Sequence, residues 1–552
     1  MRKNHLFLIL STIVFGAGLA SAQPTVSAVL NAASSALPGL PNSSIAQGSM
    51  FVAYGTKMGP AALVQVSSFP LPATLSGTSA KITVAGTSVD AIMVYTVATQ
   101  IAAVLPSTTP LGTGTITVTY NGQTSATLPI TVVAGSFGTF TVNQAGTGAG
   151  IITYADYSLV SLTKAANPGE TLLIWGTGLG AVKGNEAAGP LPGDLTGVPA
   201  EVWVGGKLAA LAYRGRSGCC TGLDQIAFVV PTGITGCNVP MAVKINDKVS
   251  NFSTMAVAPT GRVCMDADGS SGTDLLTLFG KPVVSIGSVS LSRTTTISTG
   301  IGGFGGGTTK SDDGSASFFK LTIPPGLFPT SFLETVSIGA CTVATYSGQT
   351  IDPFPGLKFE GLDAGPSIGV SGPSGSRTLA KMSIPTLGSI YSAKLGDATP
   401  GNYLDPGTYT VTGPGGSGVG SFNVSLIVPP ALVWTNQDSI NTVVRSTGVP
   451  VTWTGGDPAG FVDITGSSFS GLTASNFVIA VFTCRAKVSD GSFTVPPLVL
   501  LTLPPSGSIQ GIAIPGSLGV GASANPKQFN VPGLDIAVAA SSVSTSKSVT
   551  YQ

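Results

Sequence analysis

Histidine is almost absent from this chain of 552 residues, whose single imidazole belongs to His5. That residue lies in an N-terminal segment that we expect to be removed, so the mature chain is expected to have none. A Ser-His-Asp triad cannot then be built, because its general base is an imidazole. The stretch Gly365–Gly369 fits the G-x-S-x-G pattern of hydrolases, yet without a base or a following helix it indicates only a turn.

Charge is scarce as well, because Asp, Glu, Lys and Arg together make up only 9% of the residues. Globular proteins average about 25%. The formal net charge is +1, and two of the basic residues, Arg2 and Lys3, lie in the segment that we expect to be removed. A chain so close to neutrality creates no field that would attract nucleic acid or anionic lipid, which argues against both as partners.

Long apolar runs are confined to the N-terminal segment. Residues 1–22 combine a basic start, an apolar run from Leu6 to Phe15 and the small residues Ala20–Ala22 before Gln23, which is the pattern of a secretory signal peptide. No later run approaches the roughly 18 to 20 apolar residues that cross a bilayer, so we predict no transmembrane segment. The expected product is secreted, to the periplasm, the cell surface or the medium.

Glycine and proline are abundant, with 74 and 39 residues, and hydrophobic residues make up 43% of the chain. This combination favours a folded all-β protein with many turns over a disordered chain. Thr115–Gly122 alternates apolar and polar residues and ends in Asn-Gly, which suits a type I′ hairpin turn, with Leu128–Val133 as the returning strand. A second hairpin is predicted where Phe482–Val488 alternates before Asp490–Gly491 and Phe493–Val495 resumes.

An internal repeat organises the first half of the chain. A block that reads as a buried strand and a glycine turn, Gly48–Gly59, returns as Gly169–Gly180. A Gln-Ile-Ala block follows in both copies, at Gln100–Ala102 and at Gln225–Ala227, and a Pro-Leu-Pro block lies between the two blocks each time. Because several blocks recur in the same order at nearly constant spacing, we predict two copies of one β-sandwich module.

The repeated blocks resemble those of the immunoglobulin-like IPT/TIG class. The order "glycine, apolar strand, Tyr/Trp-Gly-Thr, Pro-Leu-Pro, Gln-Ile-Ala", with an Asn31–Ser34 opening, is most similar to a variant found in large, secreted bacterial proteins. The resemblance covers roughly residues 26 to 263. It implies a sandwich of about seven strands in each copy, used as a spacer, a ligand-presenting module or an adhesive one, and it brings no catalytic residues with it.

These patterns predict an all-β fold of tandem immunoglobulin-like β-sandwich domains. The predicted segments are a signal peptide (1–22), immunoglobulin-like domain 1 (23–136), immunoglobulin-like domain 2 with disulfides (137–264), β-sandwich-like domain 3 (265–430) and β-sandwich-like domain 4 (431–552).

Four of the six cysteines, Cys219, Cys220, Cys237 and Cys264, cluster in and just after the second copy. In an exported chain this clustering favours disulfides over metal or redox chemistry. Neighbouring side chains in extended backbone point to opposite sides, so Cys219 and Cys220 should reach different partners. The preferred pairings are Cys220 with Cys237 and Cys219 with Cys264. A zinc site is disfavoured, because paired C-x-x-C spacing and a mature histidine are both missing.

The other two cysteines, Cys341 and Cys484, lie in separate apolar stretches that read as strands. Buried free thiols are the preferred interpretation for both, and a disulfide between domains is the alternative.

Three further groups of residues imitate functional sites. Asp266, Asp268 and Asp274 could offer oxygens to Ca²⁺, but the spacing lacks the ligands of an EF-hand, so a polar linker is preferred. Tryptophans at strand positions are more often core than sugar-stacking platforms; they are Trp203, Trp434 and Trp453. Two facing carboxylates would serve a glycosidase; the candidates are Asp363, Asp405 and Asp457.

The sequence therefore predicts a non-catalytic, secreted or cell-surface string of β-sandwich domains that acts as an adhesive, scaffolding or ligand-binding protein. No catalytic, cofactor or metal site is predicted, and the expected partner is a glycan or a protein outside the cell. The alternative is a secreted carbohydrate-active enzyme that uses a carboxylate pair in its C-terminal half.

Overall fold

A computed structural model describes residues 23–267, 269–300, 306–323, 336–347, 357–384, 388–396, 403–471, 476–509 and 512–552. The predicted signal peptide, residues 1–22, lies outside the described residues. The chain is all-β, as the sequence predicts, with strands in several packed sheets and little helix. Within the described part of the chain, no helix has the length and hydrophobicity of a membrane span.

The first repeat copy forms a sandwich of two sheets. One sheet has the strand order β1-β3-β8-β7-β4, and the other has the order β2-β11-β9-β5-β6, with β10 paired to β9. Apolar side chains from both sheets form one core between them, including Phe51, Ile82 and Val118. The strands are β1 (Thr25–Asn31), β2 (Ile45–Ala46), β3 (Met50–Thr56), β4 (Val64–Gln65), β5 (Thr78–Val84), β6 (Thr87–Asp90), β7 (Ile92–Val97), β8 (Gln100–Val104), β9 (Gly112–Tyr120), β10 (Gln123–Thr124) and β11 (Leu128–Val133).

The first predicted hairpin is confirmed. Asn121 and Gly122 have φ values of 47° and 78°, so both central residues of the turn are left-handed, as a type I′ turn requires. Gln123 then pairs with Tyr120, and Leu128 pairs with Ile116 as the chain returns along β9.

The second copy repeats this architecture. Its sheets have the orders β12-β14-β19-β18-β15, with β13 paired to β14, and β17-β16-β20-β21, with β22 paired to β20. The strands are β12 (Gly138–Thr139), β13 (Ile152–Thr153), β14 (Thr171–Thr177), β15 (Gly193–Asp194), β16 (Ala200–Val204), β17 (Lys207–Ala209), β18 (Leu211–Arg216), β19 (Asp224–Val229), β20 (Gly236–Ile245), β21 (Lys248–Val249) and β22 (Ser253–Val257).

A short helix leads into the C-terminal half. Helix α1 (Gly272–Phe279) begins with a capping box, in which Ser271 and Asp274 satisfy each other's backbone N–H groups. Its buried Leu275 and Phe279 pack into a small core shared by the second sandwich and the following strands.

The C-terminal half contains twenty strands and the short helix α2 (Pro497–Leu500) among its described residues. The strands are β23 (Val283–Ser298), β24 (Gly307–Thr322), β25 (Cys341–Ser347), β26 (Lys358–Gly361), β27 (Ser367–Gly372), β28 (Gly375–Ile384), β29 (Gly388–Lys394), β30 (Gly407–Gly413), β31 (Phe422–Val428), β32 (Leu432–Trp434), β33 (Thr442–Val443), β34 (Val449–Gly455), β35 (Phe461–Ser470), β36 (Val478–Lys487), β37 (Ser492–Val495), β38 (Ser508–Ile509), β39 (Ile512–Ala513), β40 (Gly516–Ser523), β41 (Lys527–Gln528) and β42 (Ile536–Tyr551).

Fifteen of these described strands form one sheet, which contains strands from before and after the predicted domain boundary at residue 430. Its path is β25-β36-β35-β40-β42-β23-β24-β29-β28-β27-β30-β31, with β26, β33 and β41 beside it. The last strand, β42, pairs in parallel with β23, from Ile286 opposite Ile536 onwards. The predicted boundary between residues 430 and 431 therefore lies inside a continuous sheet, and the division into domains 3 and 4 stays a prediction.

The second predicted hairpin is wrong. After β36 the chain makes a turn at Asp490–Gly491, but β37 pairs with β34, where Val495 lies opposite Val449, and joins a separate sheet of β32, β34 and β37. Asp490 and Gly491 determine only that the chain turns. Which strand β37 pairs with depends on the apolar core that it covers, where Val495 is buried.

Candidate functional site

A cleft lies between the second sandwich and the C-terminal half. It has a volume of about 740 Å³. The second sandwich contributes residues 205–207, 233–235, 259–260, 263 and 265–267 to its wall, and the C-terminal half contributes residues 336–339, 461, 485 and 525–526. Clefts of this size between packed units are where ligands most often bind.

The turn between β16 and β17 brings the two walls together. Gly206 has a φ of +78°, and a Cβ atom there would lie 2.7 Å from the backbone oxygen of Gly339. Only glycine allows so close an approach with this backbone conformation. Lys207 follows, and its ammonium donates hydrogen bonds to the carbonyl oxygens of Thr232 and Gly233, at 2.7 and 3.3 Å. The turn thus places a fixed cation in the cleft.

A disulfide shapes the wall of the second sandwich. Cys237 is bonded to Cys264, with Cα atoms 5.0 Å apart. Val263 and Met265, on either side of Cys264, therefore face the cleft. Asp266 also lines it, and its carboxylate accepts a hydrogen bond of 2.7 Å from the N–H of Cys237.

The preferred cysteine pairings, Cys220 with Cys237 and Cys219 with Cys264, are wrong. The loop that carries Cys219 and Cys220 precedes β19, and Cys237 follows it. A strand of six residues is about 20 Å long, whereas bridged cysteines need Cα atoms within about 7 Å. The structure instead bonds Cys219 to Cys220 in an exposed loop, outside the cleft.

A second disulfide supports the opposite wall. Cys341 of β25 lies directly opposite Cys484 of β36 in the sheet, and the two are bonded. The preferred interpretation of buried free thiols is therefore wrong, and the disulfide alternative is confirmed. Gly339 and Arg485, which lie next to these cysteines, line the cleft. The N–H of Gly339 donates to the carbonyl oxygen of Arg485 at 2.8 Å, and the N–H of Arg485 donates to the carbonyl oxygen of Ala340 at 3.1 Å.

Arg485 also lines the cleft, and its side chain is held by two neighbours. Its guanidinium donates to both carboxylate oxygens of Asp463, at 2.8 and 3.2 Å. It also lies over the ring of Phe461, with the guanidinium carbon 5.5 Å from the ring centroid, which adds a cation–π attraction. The arginine is thus held in place from two directions.

The cleft combines exposed apolar side chains with fixed charges. Met265, Val263 and Ile338 are 57%, 45% and 39% exposed, although large apolar side chains are usually buried. Lys207, Arg485 and Asp266 supply charges of both signs around them. Contiguous apolar surface with a polar rim is typical of a binding groove.

Other predicted site residues lie outside the cleft. Asp363 accepts a hydrogen bond from the Lys381 ammonium at 2.7 Å, which, with the N–H of Gly365, lowers the pKa of Asp363 to about 2. A general acid needs a raised pKa instead. Asp405 lies 3.5 Å from a guanidinium nitrogen of Arg293, and Asp457 accepts the N–H of Ala459 at the end of a turn.

Two of the three candidate tryptophans belong to the core, as the sequence predicts, so the alternative of a sugar-stacking platform does not apply to them. Trp434 and Trp453 are buried in the core around β34, β35 and β36. Trp203 is half-buried beside a smaller cavity of about 190 Å³ and donates its indole N–H to Glu201 at 2.9 Å.

The aspartates that the sequence suggests as calcium ligands make other contacts where the structure describes them. Asp274 caps α1, Asp266 binds the N–H of Cys237, and Asp268 lies outside the described residues. Across the described residues, His, Cys, Asp and Glu form no group of three or more that could hold a metal ion.

Sequence reasoning missed Lys207, Met265 and Arg485 as site residues. They come from three distant segments, and the only sequence signal near them is the cysteine that directly precedes Met265 and the one that directly precedes Arg485.

Comparison with known proteins gives distant likenesses only. No protein-family model matches the chain, and no curated protein matches it. The full extracellular region of plexin A4 is 8% identical over 87% of this chain and 30% of its own, with a TM-score of 0.15. The SGBP-B protein of a Bacteroides ovatus mixed-linkage glucan utilization locus, solved with a mixed-linkage heptasaccharide, is 10% identical over 86% of this chain and 97% of its own, with a TM-score of 0.16. At these values neither likeness supports an argument about function.

Proposed function

We propose that this is a secreted, non-catalytic binding protein whose ligand occupies the cleft between the second sandwich and the C-terminal half. The observation that carries the proposal is the cleft itself, where exposed Met265, Val263 and Ile338 lie beside the fixed cations Lys207 and Arg485. Three disulfides support secretion, because such bonds persist in oxidising compartments. The signal-peptide pattern of residues 1–22 supports it independently.

The two N-terminal sandwiches are proposed to be IPT/TIG-like modules that present this cleft. Their support is the repeat: Tyr54 lies opposite Gln100 in the first copy, and Trp175 lies opposite Gln225 in the second, so equivalent blocks occupy equivalent strands. The ion pairs of Asp363 and Asp405 favour a binding role over the enzyme alternative.

The ligand that best fits the cleft is an extended peptide segment of another extracellular protein, with apolar and acidic side chains. Apolar side chains would cover Met265 and Ile338, which are otherwise exposed to water. An acidic side chain would lie near Lys207, which uses two carbonyl partners and has a third N–H to donate.

A random peptide library, selected on the immobilised full chain, tests this proposal. Selected peptides should bind a Met265→Glu, Ile338→Glu double variant at least about tenfold more weakly. A few apolar anchor residues carry most of the binding energy of an interface, and the two substitutions replace such anchors with charged side chains. Fluorescence anisotropy measures the affinities. Leu111→Glu is the matched control, since Leu111 is 52% exposed on the first sandwich, away from the cleft. Equal binding by the double variant and the control would refute the cleft as the binding site.

A further inference from the structure

In each sandwich, the glycine-turn block and the Gln-Ile-Ala block form neighbouring strands of one sheet, and each contributes a side chain to the outward face of that sheet. Tyr54 of β3 lies directly opposite Gln100 of β8, and Trp175 of β14 lies opposite Gln225 of β19. Directly opposite residues present their side chains on the same face of a sheet. Leu172 and Ile174 point into the core, so Trp175, between Ile174 and Gly176 in an alternating strand, points outward and is half-exposed.

A second aromatic residue lies on the same face, one strand further on, in both copies. Tyr95 lies opposite Ala102, and Tyr213 lies opposite Ala227. Ala102 and Ala227 follow the two glutamines by two residues, so all these side chains share a face. The aromatic strands are separated by two strand spacings, about 10 Å. Each copy therefore presents a row of aromatic, amide and aromatic side chains, long enough for more than one sugar ring.

The second copy extends this row with Tyr157. Its ring centroid lies 6.0 Å from that of Trp175, at an interplanar angle of 49°. The Tyr157 ring is 67% exposed, and its φ of +63° is unusual for an aromatic residue. The indole N–H of Trp175 donates to the Thr153 hydroxyl at 2.9 Å, which fixes the ring. The turn, in which the N–H of Tyr157 donates to the carbonyl of Tyr154 at 3.0 Å, thus leaves the Tyr157 ring exposed beside Trp175.

The side-chain amides of the row are available to a ligand, whereas the Tyr213 hydroxyl lies 2.9 Å from the carbonyl oxygens of both Gly193 and Arg216 and donates there. Neither the Gln100 nor the Gln225 amide has a hydrogen-bond partner among the residues that the structure describes. Burial, together with the neighbouring Tyr54, raises the pKa of Tyr95 to about 12. Its hydroxyl stays protonated at neutral pH, as that of an ordinary tyrosine does, and can donate a hydrogen bond.

We propose that these outward faces bind a neutral polysaccharide, with the stronger site at Tyr157, Trp175 and Gln225 of the second copy. A pyranose ring offers an apolar C–H face, which packs on a fixed aromatic ring, and hydroxyl groups around its edge, which match an amide. Among the described residues, the one charged side chain in line with the row of the second copy is Asp194, which lies opposite Gly215, itself opposite Gln225. A carboxylate there would repel an anionic chain, so a neutral chain matches the row better. This surface is separate from the peptide cleft, and either proposal can fail without the other.

The test uses the full chain with cellohexaose, xylohexaose and chitohexaose as neutral probes and hexagalacturonate as the anionic probe. Calorimetry should detect at least one neutral hexasaccharide. Trp175→Ala and Gln225→Ala should each weaken it about tenfold or more, the loss typical of a removed anchor. Trp175→Tyr should largely restore binding, since the first copy has tyrosine at this position. Trp203→Phe, a half-buried tryptophan on another surface, and the cleft double variant should bind normally.

Tyr157→Gly separates a binding role from a structural one. Glycine accepts a positive φ without strain, so this variant should keep or raise the melting temperature while it weakens the glycan about tenfold. The proposal is overturned if no neutral hexasaccharide binds at millimolar concentration, if only hexagalacturonate binds, or if Trp175→Ala and Tyr157→Gly leave binding unchanged. Loss of the selected peptides in Trp175→Ala would assign this face to a protein partner instead.

Discussion

Single acidic residues in the C-terminal half are held by cations and backbone N–H groups. Asp363 binds Lys381 and the N–H of Gly365, and Asp312 accepts two hydrogen bonds from Arg293, at 2.7 and 2.8 Å. A carboxylate stabilised in this way is kept in its charged form. These groups therefore act as anchors of the fold, and their effect should appear in the pH dependence of stability.

The Asp363 carboxylate should make stability fall in acid. Its folded-state pKa of about 2 is below the ordinary value near 3.9. Its contribution is therefore complete above about pH 4 and is lost as the pH falls towards 2. Asp363→Asn should remove this part of the acid dependence, measured as urea midpoints from pH 2 to pH 7. The control is Asp457→Asn, which keeps an acceptor oxygen for its turn; if both variants follow the same pH curve, the assignment to Asp363 is wrong.

At the scale of elements, β42 connects the two cores of the C-terminal half. Ala537 and Ala539, near its start, belong to the core that contains Phe318. Val549 and Tyr551, near its end, belong to the core of β35 and β36. Conversely, β25 comes from the predicted domain 3 but forms the edge of the sheet beside β36. The two regions are therefore joined by exchanged strands.

The exchanged strand β25 depends on its disulfide. Cys341 and Cys484 are 143 residues apart in sequence, and closing a loop of this size removes much entropy from the unfolded chain. Replacing both with serine should lower the free energy of unfolding by about 2–5 kcal/mol, the usual range for a native disulfide. Chemical denaturation measures this change.

The adjacent pair Cys219 and Cys220 provides the control for that experiment. Its sequence separation is 1, so its bond closes almost no loop, and the double serine variant should be far less destabilised. Similar losses in both double variants would show that loop closure is not what stabilises β25.

Sequence patterns predicted elements well where the pairing was local. Asn121 and Gly122 encode their own turn, and the strand that follows them pairs back on the strand that precedes them, Gln123 opposite Tyr120. Phe493–Val495 failed because its partner, β34, lies about 40 residues upstream in another sheet. The candidate cleft was also out of reach, since Lys207, Met265 and Arg485 meet only through long-range packing. The cysteines were correctly expected to form disulfides in the second copy, but their partners depend on which end of β19 each one occupies.

The whole molecule is more than a string of sandwiches. Leu40 of the first sandwich packs into the core around β34, β35 and β36, and the Ser470 hydroxyl donates to the Gly39 carbonyl at 3.0 Å. The second sandwich meets the same region where Val249 packs against Leu498. These contacts tie both N-terminal sandwiches to the C-terminal half.

A buried ionic cluster fixes the two sandwiches to each other. Arg216 of the second copy donates to the carbonyl oxygens of Gly48 and Gly180, both at 2.7 Å, and forms an ion pair with Asp224. Glu186 accepts the N–H of Ser107, in the first copy, at 2.7 Å. Because the arginine and both acids are buried, each group depends on the others for compensation of its charge.

Arg216→Ala should therefore lower the free energy of unfolding by about 3–5 kcal/mol, the usual cost of leaving a buried charge without its partner. The same variant should loosen the junction between the sandwiches, because the bond to Gly48 is lost, and small-angle scattering should record a larger radius of gyration. Lys81→Ala is the control, since its pair with Asp90 is 3.7 Å long and more than half exposed, and such pairs contribute less than about 1 kcal/mol. If Arg216→Ala costs no more than Lys81→Ala, the junction is held by its apolar and backbone contacts instead.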